Sequence, residues 1–134
     1  MFRRPRVVGL TLCDGMGFPP PDGKPSLIGI FQARHFKRFP SPKIDFTVYF
    51  ALFDGVGEGI IRLVITQLET EEDIWIIEEK VNLPGRGMHR NCLFQVRGCI
   101  FPSPGNYALT IRLRQIGQEE GEDLSHRYLD VFQI

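Results

Sequence analysis

The strongest constraint on this chain is the rhythm of its helix breakers. Fourteen glycines and ten prolines cut it into about eight stretches too short for a long helix, because an internal proline removes a helix hydrogen bond and clashes with the preceding turn. The stretches are rich in Val, Ile, Phe and Thr, and the clearest of them alternate with period two. In Tyr107 to Leu113, positions 107, 109, 111 and 113 are large and apolar, while Ala108, Thr110 and Arg112 lie opposite. In Ile44 to Phe53, Phe46, Val48, Phe50 and Leu52 share one side, and Asp45, Thr47 and Tyr49 the other. Further strands are expected at Arg6–Cys13, Ser26–Phe36, Glu58–Leu68, Ile74–Leu83, Cys92–Phe101 and Leu124–Phe132. Seven or eight strands at this spacing predict an all-β fold, a two-sheet antiparallel β-sandwich of immunoglobulin-like type. The 134 residues suit a single domain over residues 1–134.

The breaks carry their own chemistry. Pro19–Pro21 followed by Asp22-Gly23 predicts an extended rod and a turn. Pro104-Gly105-Asn106-Tyr107 resembles the corner of immunoglobulin-like domains, where a tyrosine hydroxyl bonds back to upstream backbone; the plainer alternative is a core tyrosine. The last two strands read as a closing hairpin around an acidic loop from Gly117 to Asp123.

Cysteine usage speaks to compartment. Cys13, Cys92 and Cys99 are an odd, scattered set, which suits a reducing cytoplasm. Cys92 and Cys99 lie seven residues apart on one expected strand, an odd offset that places them on opposite faces, so no bridge between them is expected. Arg3, Arg4 and Arg6 before the apolar run Val7 to Cys13 imitate an export signal. The run is at the short end for that purpose, and Leu12 stands where a small residue is wanted before a lipidated cysteine. No stretch approaches the roughly 20 apolar residues of a membrane-spanning helix.

Catalytic spacings are missing, so the chain is not expected to be an enzyme. His35, His89 and His126 sit in separate segments; His89 and Cys92 are half of a zinc pattern with no second half, so no metal is expected. No Gly-x-Ser-x-Gly turn occurs. Gly15-Met16-Gly17, Gly85-Arg86-Gly87 and Gly23-Lys24-Pro25-Ser26 lack the strand-to-helix setting of a phosphate loop, so no cofactor is expected. Glu78 and Glu79 are strand neighbours pointing apart, which is no carboxylate dyad.

Charge distribution is more informative. The formal net charge is zero, yet residues 1–43 hold eight Lys/Arg against two Asp/Glu, a net of +6, and residues 44–80 hold two against nine, a net of −7. A basic and an acidic segment on one subunit can join head to tail. The expected function is therefore a non-enzymatic protein-interaction or assembly module. Its partner is a protein or a second copy of the chain, met through Arg34, Lys37 and Arg38 on the basic side and Glu71, Glu72 and Asp73 on the acidic side. Two alternatives have weaker support. The basic and aromatic run Arg34-His35-Phe36-Lys37-Arg38-Phe39 could serve a nucleic-acid accessory protein. Trp75 and Tyr49 are the candidate platforms of a ligand- or glycan-binding sandwich.

One resemblance covers almost the whole chain. Leu12-Cys13-Asp14, a proline-rich loop and Gly23-Lys24-Pro25-Ser26-Leu27-Ile28-Gly29-Ile30-Phe31 resemble an uncharacterised family of small bacterial single-domain proteins, and Phe101-Pro102-Ser103-Pro104-Gly105-Asn106-Tyr107 is similar to a later element of it. The resemblance implies a compact β domain and no catalytic residues. Within the motif, Gly29 is expected where strands cross closely, and Lys24 to close the loop against Asp14 or Asp22.

Overall fold

The structure is a computed structural model that describes residues 1–17 and 24–134. Its elements are β1 (Arg6–Gly17), β2 (Ser26–Ile30), β3 (Ala33–Phe36), β4 (Ile44–Phe53), β5 (Glu58–Gln67), β6 (Glu72–Asn82), β7 (His89–Cys99), β8 (Gly105–Gln115) and β9 (Glu122–Gln133), with no helix among the described residues. They make two packed sheets, one of four strands in the order β2-β1-β4-β7 and one of five in the order β3-β9-β8-β5-β6. The expected all-β, two-sheet architecture is present. The Pro19–Pro21 and Asp22-Gly23 turn lies outside the described residues.

Alternation places the core. Phe46, Val48, Phe50 and Leu52 of β4 face Tyr107, Leu109, Ile111 and Leu113 of β8 across the sandwich, each at most 4% exposed. Leu12, Ile61, Leu63, Ile65, Phe94, Val96, Leu129 and Val131 belong to the same cluster. A large apolar side chain contributes about 1.5–3 kcal/mol when fully buried. A one-residue slip of β4 or β8 would turn four of them outward, so the pattern fixes register. Tyr107 serves as both corner and core residue. Its hydroxyl donates to the Ser103 carbonyl at 2.6 Å while its ring meets Phe101 edge-on, with centroids 4.9 Å apart. Burial pushes its phenol pKa up.

Two features differ from the sequence reading. The stretch Ser26–Phe36 is two strands rather than one, which raises the count to nine. β2 hydrogen-bonds to β1, and the Phe31 amide donates to Leu12 O at 3.0 Å. The Gln32 carbonyl then accepts from Asp130 N at 3.1 Å, in the other sheet. β3 follows β9 in parallel, the one pairing among these strands that is not antiparallel. Gly29 lies just before the crossing, inside β2, where the ladder to β1 continues on both sides of it, Ile28 opposite Gly15 and Ile30 opposite Cys13. The φ of Gly29 is +69°, and a Cβ there would collide with the Asp14 carboxylate. The second difference concerns the thiols. Cys92 and Cys99 both pack against the core, because a bulge at Gly98, with φ +63°, shifts the β4–β7 register and returns Cys99 inward. All three cysteines are free.

Candidate functional site

The sequence-predicted residues lie at the two lateral edges of the five-stranded sheet. β3 forms one edge and β6 the other. Four strand spacings of about 4.8 Å separate them, roughly 19 Å. The structure thus groups each charge set and keeps the two sets apart.

On the basic edge the three residues have different roles. Arg34 of β3 is half-buried. Its guanidinium lies 4.2 Å from the Phe31 ring centroid, and Nη2 is 3.2 Å from Asp14 Oδ1. It ties the end of β1 to the β2–β3 crossing and is committed inside the subunit. Lys37 and Arg38 follow β3, are exposed, and make no ion pair among the described residues. Phe36 and Phe39, interleaved with them, turn inward. They meet edge-on at 6.0 Å, and Phe36 stacks on Phe101 at 6.0 Å. Rings engaged in this way are not presented to bases. Arg3 and Arg4 do not extend the basic edge, because they pair with Asp54 and Glu122, each at 2.7 Å.

On the acidic edge, the turn at residues 68–71 places Glu71 at φ +59°, and Glu72 and Asp73 begin β6. Asp73 Oδ1 accepts from the Thr66 hydroxyl at 2.8 Å. Glu71 and Glu72 are exposed and make no ion pair among the described residues. Leu68 N bonds Asn106 O at 3.0 Å, Asn106 sits opposite Asp130, and Asp130 opposite Ala33. One row across the sheet therefore joins the acidic turn to the start of β3. Lys37 lies four residues beyond Ala33, roughly 13 Å farther along the strand direction.

A second cluster was not anticipated. On the outer face of the five-stranded sheet, Arg62 of β5 is directly opposite Arg112 of β8, with Glu78 of β6 beyond Arg62 and Asp123 of β9 beyond Arg112. The four form a row of charge running minus, plus, plus, minus across four strands. Arg114 joins it, 3.9 Å from Glu78 Oε2. Arg62, Glu78, Arg112 and Arg114 floor a cleft of about 390 Å³ whose rim is the β8–β9 loop with Glu119 and Glu120. The sequence hint was the i, i+2 spacing of Arg112 and Arg114 on the polar side of β8. Their apposition to Arg62 depends on sheet register between strands far apart in sequence.

Among the described residues no group of three or more His, Cys, Asp or Glu is placed to hold a metal. Trp75 packs against the core, and Tyr49 donates to Asn91 Oδ1 at 2.9 Å. No helix of the described residues is long and apolar enough to cross a membrane.

Fold and edges define the class: an all-β, two-sheet sandwich domain with oppositely charged lateral edges on its larger sheet. Residues 9–120 match a family described as a family of unknown function (DUF6941), and the chain belongs to that family. No curated protein matches the sequence.

Proposed function

We propose that this protein is a non-enzymatic assembly module that associates with copies of itself edge to edge. The carrying observation is that Lys37 and Arg38, and Glu71 and Glu72, none of them ion-paired among the described residues, occupy opposite lateral edges of one sheet. Such a contact is heterologous, so it builds rings or filaments rather than a twofold dimer. The charges set encounter and register, because an exposed ion pair is worth only about 0–1 kcal/mol. Apolar surface beside each edge supplies the affinity: Leu68 and Ile76 near the acidic set, and Phe132 and Ile134 near the basic set, each at least 42% exposed. The Tyr107–Ser103 corner supports an immunoglobulin-like reading of the sandwich, and three unpaired thiols support a cytoplasmic site of action.

The test is molar mass by light scattering across ionic strength. Multimers at low salt that dissociate at high salt are expected, because surface charges are screened beyond about 8 Å at physiological salt. A monomer at high protein concentration and low salt refutes the reading.

A further inference from the structure

The arginine row breaks a rule of sheet construction. Like charges directly opposite each other on neighbouring strands destabilise the pairing. Arg62 and Arg112 are so placed on the two strands β5 and β8, well inside the sheet. Both are then oriented by carboxylates on their outer sides. Arg62 Nε donates to Glu78 Oε1 at 2.6 Å, with Nη2 on the same oxygen, and Arg112 Nε donates to Asp123 Oδ1 at 2.7 Å. Arg114 Nη1 donates to the Gln118 carbonyl at 3.3 Å. Among the described residues, neither Nη of Arg112 has an acceptor. The fork that suits a carboxylate is thus fixed at one end and unspent at the other.

The opposite wall is acidic. Gly121 lies so close to the floor that a Cβ would come within 3.0 Å of Arg112 Cγ and of Leu113 O. That close approach brings Glu119 and Glu120 to the rim of the cleft, where neither makes an ion pair among the described residues. Arginine and glutamate are equal in number in the lining, three of each, and the rim wall carries only glutamates. A bare anion would meet Glu119 and Glu120 as repulsion. A dipolar ligand satisfies both sides.

We propose that this cleft binds a small zwitterion of the α-amino-acid or short-peptide class. The ligand carboxylate sits on the spare N–H groups of Arg112 and Arg114, and its ammonium faces Glu119 and Glu120. The volume of about 390 Å³ lies in the range of small-molecule sites, roughly 300–1,000 Å³. Nothing in this assignment depends on self-association.

The experiment is a titration of the isotope-labelled protein by NMR with three probes. Glycylglycine carries both charges, N-acetylglycine only the carboxylate, and glycinamide only the ammonium. Saturable shifts centred on Arg112, Arg114, Glu119 and Glu120 are expected with glycylglycine, at an affinity about tenfold above either single-charge probe, since one charge-assisted contact is worth about that factor. Arg112→Gln should weaken glycylglycine about tenfold at an unchanged melting temperature, because it also relieves the repulsion with Arg62. Should that variant fail to fold, Arg112→Lys keeps the charge, loses the fork, and should weaken binding similarly. Glu119→Gln with Glu120→Gln should reduce glycylglycine to the level of N-acetylglycine. N-acetylglycine or inorganic phosphate binding as tightly as glycylglycine overturns the proposal, as does the absence of saturable shifts with every probe.

Discussion

Replacing Gly29 by alanine tests how closely β2 seats on β1 at Asp14. At φ +69° an alanine pays roughly 1–2 kcal/mol for the left-handed conformation. Its Cβ would also land on the Asp14 carboxylate, which must then rotate away from Arg34. The Asp14–Arg34 pair is partly exposed, 58% and 29% for the two side chains, so its loss adds only about 0–1 kcal/mol after solvent screening. The expected cost is about 1–3 kcal/mol, measured by urea unfolding. Asp14→Ala supplies the control. It removes the colliding oxygen and leaves only a Cβ contact near 3.0 Å, which a small shift relieves. In that background Gly29→Ala should cost about 1 kcal/mol less, because contacting residues couple. A Gly29→Ala protein as stable as wild type, or a cost indifferent to Asp14, refutes this account of the β1–β2 contact.

Three further outcomes are expected. Leu109→Ala, at a fully buried position, should cost about 2–5 kcal/mol by chemical denaturation, and a surface-like cost would mean that β8 is out of register. Asp54→Asn should destabilise at neutral pH and lose that deficit in acid. The Gly87 amide, and then Arg3, hold the Asp54 carboxyl below its ordinary 3.8, so its contribution is complete above that value and fades as pH falls through the lower folded pKa; unfolding curves along a pH series read this directly. Thiol titration without reductant should find three free cysteines once the protein is unfolded, while in the native state Cys99, pushed up to about 11 by burial, should react more slowly than half-exposed Cys92.

Much of this fold is legible in local pattern, and the limits are physical. β4 and β8 are written in their alternation, because the large apolar side chains of each share one face and smaller or polar ones the other. The Tyr107 corner is written in a turn of fixed chemistry. The split at Phe31-Gln32 is not, because Ser26–Phe36 keeps strand composition on both sides of the crossing. The facing of Cys99 is not either, because a bulge at Gly98 adds a residue that period counting misses. For the site, charge arithmetic located both edge sets in sequence but could not tell free charges from paired ones. Arg34 is spent on Asp14 and Phe31, while Lys37 and Arg38 are exposed. The arginine row stayed hidden because Arg62 and Arg112 each look like an ordinary solvated position on their own strand. Their apposition exists only once β5 and β8 are in register.

The most direct measurement of the edge-to-edge account is a mixing experiment read by sedimentation velocity at low salt. Lys37→Glu with Arg38→Glu makes both edges acidic, and Glu71→Lys with Glu72→Lys makes both basic. Each doubly substituted chain should be monomeric alone, because like edges repel. Mixed in equal amounts they should assemble, since every contact then joins an acidic edge to a basic one. A mixture that stays monomeric, or variants that assemble alone as the wild type does, would contradict the account.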